Sequence, residues 1–130
     1  MPFDQQERYD AIVLAVTERF LGSVEGPDFN NRIDELIEQN RTHVVVDLSE
    51  AEMMDSSGIG VLIAAHASLR RQGGALRLAR LEAKIRPLFL MTNLLGSVFD
   101  TYDTVEEAAK SFRADPPQPA ENEKKARARN

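Results

Sequence analysis

The segment His43-Val44-Val45-Val46-Asp47-Leu48 constrains the fold most tightly. Its centre is apolar and β-branched at consecutive positions, so it lacks the alternation of a strand with one wet face. It predicts a strand covered on both sides, as in a sheet flanked by helices. Ala11-Ile12-Val13-Leu14-Ala15-Val16 has the same character, with an extension toward Leu21, and Ala75-Leu76-Arg77-Leu78-Ala79 predicts a third strand.

Helical patterns separate these runs. Gly22 and Gly26-Pro27 mark a loop, and Asp28 is the predicted cap of a helix that carries Phe29, Ile33, Leu36 and Ile37 on one face and stops at Asn40. A second helix is predicted from Ser56 or Ser57 to about Arg71, with Ile59, Leu62, Ile63, His66 and Leu69 on its inner side, ended by Gly73-Gly74. A third carries Ile85, Leu88 and Phe89 inward and starts no earlier than about Ala83, because Pro87 fits only a first turn. Leu94 to Gly96 closes it, and Val98-Phe99 reads as a short strand. Asp103 is the predicted cap of a last helix with Val105, Ala108, Ala109 and Phe112 on one face. The alternation argues for an α/β domain with a largely parallel sheet and right-handed crossovers. The folded domain is expected to occupy residues 1–113. Asp115-Pro116-Pro117-Gln118-Pro119 breaks regular structure, and residues 114–130 read as a disordered polar tail.

Composition narrows the function. A chain of 130 residues suits one domain. The formal net charge of −5 gives no general attraction for phosphate backbones, so nucleic-acid binding is not expected. There is no cysteine for a disulfide, a thiolate metal site or a nucleophile. No apolar run approaches the length of a membrane span, and MPFDQQERYD has no basic segment followed by an apolar one. A cytoplasmic domain without membrane insertion is expected.

The most informative stretch is Asp55-Ser56-Ser57-Gly58-Ile59-Gly60, which joins a buried strand to an apolar helix. Open α/β sheets place their sites at the carboxyl ends of strands. Ser56 sits there, beside unpaired N–H groups at a helix N-terminus. A phosphate on Ser56 carries about −1.5 to −2 charges, which the helix end can hold through backbone donors and its dipole. The bland alternative is that Asp55 and the serines simply cap the helix. Two glycines in the first turn cost about 1 kcal/mol each, which suits close approach of another backbone. The outward face, Gly60, Val61, Ala64, Ala67, Ser68 and Arg71, is small and mostly apolar where a solvated face normally holds Lys and Glu. It reads as a docking surface, the alternative being coverage by a neighbouring element.

Val44-Val45-Val46-Asp47-Leu48-Ser49, then Asp55-Ser56-Ser57-Gly58-Ile59-Gly60-Val61-Leu62, then Gly73-Gly74, resembles the STAS domain, and more closely the bacterial anti-sigma factor antagonists. The resemblance covers roughly Ala11 to Phe112. It implies a small mixed, largely parallel sheet with helices packed mainly on one side. It implies that the unphosphorylated form binds an anti-sigma factor serine kinase of the histidine-kinase-like ATPase type and so releases a sigma factor. The kinase phosphorylates the first serine of the pair, which matches Ser56, and a PP2C-type phosphatase reverses it. Asp55 matches the acidic neighbour of the phosphosite, and no catalysis or cofactor is implied. The chain departs from the family at Glu18-Arg19-Phe20-Leu21-Gly22-Ser23, where a Gly-x-Leu-Asp-like turn is usual, and in the tail after Asp115.

Other classes fit less well. A hydrolase nucleophile elbow requires Gly-x-Ser-x-Gly, but Met54 stands two residues before Ser56. His66 is about 15 Å along the helix from Ser56, and His43 about 16 Å from the Leu48 end of its strand. Gly58-x-Gly60 lacks the further residues of a phosphate loop. Glu50, Glu52 and Asp55 read as a solvated acidic loop rather than a metal site. A non-phosphorylated STAS scaffold subunit of a stress-signalling or lipid-transport complex is disfavoured by the intact Asp55-Ser56-Ser57.

Overall fold

The computed structural model describes residues 3–91 and 98–114. In chain order the strands are β1 (Phe3–Arg8), β2 (Ala11–Val16), β3 (Arg19–Phe20), β4 (His43–Asp47), β5 (Met53–Met54), β6 (Ala75–Ala79) and β7 (Thr101–Tyr102). The helices are α1 (Gly26–Glu38), α2 (Ser56–Arg71), α3 (Arg86–Met91) and α4 (Val105–Ala114). The main sheet has the order β1-β2-β4-β6-β7, with β1 antiparallel to β2 and the other pairs parallel. β3 and β5 form a separate parallel ribbon.

The three central strands are the three apolar runs of the sequence. Their residues divide by alternation between two cores. Ile12, Leu14, Val44, Val46, Leu76 and Leu78 pack on one face with Phe29, Ile33 and Leu36 of α1, Ile59, Leu62 and Leu69 of α2 and Phe89 of α3. Ala11, Val13, Val45, Ala75 and Ala79 pack on the other with Ala108, Ala109 and Phe112 of α4. The strand order advances in one direction, so crossovers of one hand put α1, α2 and α3 on the same side. No described strand follows α4, which leaves it free to return across the opposite face. The result is a largely parallel α/β sheet with helices mainly on one side.

Several boundaries differ from the sequence expectation. β1 reads as polar because only Phe3 is buried, and it is held by pairing with β2 rather than by burial. Its turn, Tyr9-Asp10, has positive φ at both residues (51° and 69°) without a glycine to announce it. The strand from Ala11 does not reach Leu21. Glu18 adopts φ 47°, and Arg19–Phe20 leaves the sheet to pair with Met53–Met54. The N-cap of α1 is Glu25 rather than Asp28, which lies in the first turn, where a carboxylate favours the helix dipole. Asn40 takes φ 59° just past the end of α1. In α2, Ala65 is buried, whereas Ile63 and His66 are only half-buried.

Gly73 ends α2 at φ 86°, with the Gly74 amide bonded back to the Leu69 carbonyl at 2.9 Å. Pro87 falls in the first turn of α3, as its ring requires. Val98-Phe99 is not the strand that extends the sheet. Phe99 is fully buried and β7 forms at Thr101–Tyr102. The α4 cap is Thr104, whose Oγ1 accepts the Glu107 amide at 3.0 Å, rather than Asp103. The closing segment Leu94 to Gly96 and the proposed tail from 115 lie outside the described residues.

Candidate functional site

Ser56 is the first residue of α2 and is exposed. Among the described residues no group is hydrogen-bonded to its hydroxyl. Asp55 precedes it in an extended conformation (φ −114°, ψ 175°) and caps the helix. One carboxylate oxygen, Oδ1, accepts from the Gly58 amide at 2.7 Å, the Ser57 hydroxyl at 2.9 Å and the Gly22 amide at 3.1 Å. The Gly22 amide, followed by the Gly58 amide and the Ser57 hydroxyl, holds the Asp55 carboxyl below its ordinary range. The site therefore carries a fixed anion beside a free hydroxyl.

The Gly22 contact brings a distant loop onto the helix start. A side chain at Gly22 would run into the Ser57 backbone, and one at Gly58 would run into the Phe20 carbonyl. Gly58 is thus explained by internal packing. Phe20 anchors this loop in the core, edge-on to Phe29 with ring centroids 5.1 Å apart. A second carboxylate closes the loop from the other side. Glu25, 6 % exposed, accepts from the Leu21 amide at 2.8 Å and from Arg19 Nε at 2.9 Å. Burial pushes the Glu25 carboxyl up, and the Leu21 amide and Arg19 guanidinium together bring it below the ordinary value. Sequence reasoning missed Gly22 and Glu25 as parts of this site. The only local signal is an acid placed directly before Gly26-Pro27.

The outward face of α2 is partly covered. Gly60, Ala64 and Arg71 are exposed, and Ala67 and Ser68 are half-buried. Arg71 Nη2 donates to Ser68 Oγ at 3.0 Å. Val61 turns toward α1, where its Cγ2 stands 3.0 Å from the position of a Cβ on Gly26, and it packs against the main core. Around Gly60, in contrast, a Cβ would meet nothing within 4 Å. Among the described residues no internal contact accounts for that glycine.

His66, His43, Asp47 and Glu52 have structural partners. His66 Nδ1 accepts the Leu76 amide at 3.1 Å, which ties α2 to β6, and burial, then Arg70, lowers its pKa. The His43 ring stacks on Phe112 at 4.5 Å. Asp47, at the end of β4, takes both Nε (3.2 Å) and Nη2 (2.9 Å) of Arg80 and the Ser49 amide at 3.0 Å. Burial raises the Asp47 carboxyl, and Arg80 and Ser49 more than offset it. In the acidic loop Glu52 pairs with Lys84 at 3.0 Å. Among the described residues no three acidic or imidazole groups converge as a metal site. No described helix is long and apolar enough to cross a membrane.

Known proteins share this fold. A Bordetella bronchiseptica protein named as an anti-sigma factor antagonist, BtrV, is 23% identical over 82% of this chain and 91% of its own length. The crystal structure of a Thermotoga maritima protein named as an anti-sigma factor antagonist superimposes with a TM-score of 0.76 at 24% identity, covering 85% of this chain and 94% of that one. The Bacillus cell-fate determinant SpoIIAA in its phosphorylated form shares the fold with a TM-score of 0.65 at 21% identity, over 84% of this chain and 97% of that one. The family model described as the STAS domain matches residues 4–108, and the chain belongs to the STAS domain family.

Proposed function

We propose that the chain is an anti-sigma factor antagonist switched by phosphorylation of Ser56. Its unphosphorylated form binds an anti-sigma factor serine kinase and releases the sigma factor that the kinase held. The observation that carries this reading is the exposed, unbonded Ser56 hydroxyl at the N-terminus of α2, beside a face of small residues that ends at Arg71. The names of the relatives support the antagonist role, and the phosphorylated form of SpoIIAA supports the modification.

The Ser56 oxygen attacks the γ-phosphoryl group of ATP in the kinase, ADP leaves, and the hydroxyl proton passes to the kinase. A PP2C-type phosphatase then hydrolyses the ester and restores the hydroxyl. This chain supplies the acceptor and its setting. Asp55 keeps the first turn of α2 in place, with Ser57 and Gly58 completing the cap. Gly60, Val61, Ala64, Ala67, Ser68 and Arg71 form the proposed docking face, Val61 at its margin against α1. A phosphate adds about two negative charges at the edge of this face. It must lose water wherever the kinase covers it, so it opposes docking.

Calorimetric titration of the kinase with unmodified protein and with protein phosphorylated at Ser56 tests the switch. Binding at least tenfold weaker after phosphorylation is expected. Equal affinity of the two forms sinks the proposal.

A further inference from the structure

The surface around Ser56 continues beyond α2. Four large apolar side chains are exposed among the described residues: Tyr9, Val24, Met53 and Leu90. Two of these, Met53 at 58% and Val24 at 47% exposure, flank the start of α2. Met53 lies in β5, which runs through Asp55 into Ser56. Val24 lies in the turn after Gly22, the residue packed against Ser57, with its amide bonded to the Leu21 carbonyl at 3.0 Å. Pairing of β3 with β5 and the carboxylates of Glu25 and Asp55 fix both segments. The two side chains are therefore displayed on an ordered backbone, which lowers the entropic cost of using them in binding.

The charge around them is predominantly negative. Residues 17–28 and 49–60 contain Glu18, Glu25, Asp28, Glu50, Glu52 and Asp55 against one cation, Arg19. Lys84 reaches in from outside to pair with Glu52. These two short segments alone carry a charge equal to the formal −5 of the whole chain.

We propose that Met53 and Val24 are apolar anchors of the docking surface, and that its occupant is a folded protein presenting apolar recesses within a rim of Lys and Arg. The proposal rests on the phospho-switch reading and assigns the chemistry of the partner at that site. The acidic field steers encounter and sets the association rate, while desolvated anchors set the dissociation rate. Phosphorylation adds charge of the steering sign, so it leaves encounter intact. It acts beside Met53, where water must be removed, and accelerates dissociation.

The test is binding kinetics on a sensor surface, with the recombinant serine kinase that phosphorylates Ser56 as the probe. Met53→Gln is expected to raise the dissociation rate about tenfold or more, as loss of an anchor does, and Val24→Thr about threefold. Tyr9→Gln, at the opposite end of β2, is the control and leaves the rates unchanged. Melting temperatures of the Met53 and Val24 variants should match wild type, because these two side chains are already largely exposed. Association should slow as ionic strength rises. Wild-type kinetics for both anchor variants, with phosphorylation intact, overturn the anchors alone. Failure of every kinase tested to modify Ser56 overturns the functional reading and the anchors with it. Self-association of the chain that Met53→Gln abolishes would assign the surface to a second copy and also overturn the proposal.

Discussion

The Asp55 carboxylate is bonded to the Gly22 amide at 3.1 Å, across 33 residues of sequence, through the same oxygen that caps α2 at Gly58. One side chain thus sets both the helix start and the loop lying on it. Asp55→Ala is predicted to cost about 1–2 kcal/mol, as loss of a cap does. Ser57→Ala removes only one donor to that oxygen, so its cost is predicted at about 0.5–1 kcal/mol. Urea unfolding of the two variants checks the order, and the reverse order would show that Asp55 does not organise this corner.

Stability is predicted to fall in two stages as pH is lowered. His66 has a lowered pKa in the folded chain, because burial, and after it the nearby Arg70 charge, favour the neutral ring. Its contribution is complete above the unfolded value of about 6.5 and is lost as pH falls through the lower folded value. Asp55, Glu25 and Asp47 are also lowered. Their contributions are complete above the unfolded carboxylate values of about 4 and are lost below them. Urea midpoints across this range should show both stages. His66→Gln should remove the upper one and Asp55→Asn should reduce the lower one.

The glycines at the start of α2 are predicted to respond oppositely to alanine. Gly58→Ala forces a methyl group into the Phe20 carbonyl and should destabilise by more than about 1 kcal/mol. Gly60→Ala meets open space and should stabilise by about 0.5–1 kcal/mol through helix propensity. If the face docks the kinase through close contact, Gly60→Ala also weakens that binding. Thermal melts and calorimetry on the same samples separate the two effects.

Asp47→Ala is predicted to cost about 1.5–3 kcal/mol, the range for hydrogen bonds to charged groups. Arg80 is half-exposed and returns to water when its partner is removed, which keeps the cost below that of an orphaned buried charge. A double-mutant cycle with Arg80→Ala measures the coupling.

What was legible in the sequence follows from where free energy is local. β2 and the centre of β4 are consecutive apolar residues, β6 is apolar on either side of Arg77, and α2 has its cap and its terminal glycines within its own stretch. β1 was illegible because its side chains are polar and its stability lies in pairing with β2. Phe20 and Met54 gave no strand signal because two-residue strands exist only through each other. At the candidate site the Asp55-Ser56-Ser57-Gly58 cap is local. The loop from Arg19 to Glu25 that completes it is joined by contacts no periodicity records. Gly58 illustrates the difference. In the sequence it resembles Gly60, whereas only Gly58 is required by internal packing.

The most direct measurement is mass spectrometry with peptide mapping after incubation with the cognate serine kinase and ATP. One phosphate is expected on wild type, located at Ser56, one on Ser57→Ala and none on Ser56→Ala. A phosphate that persists on Ser56→Ala, or one mapped to Ser57 in wild type, would contradict it.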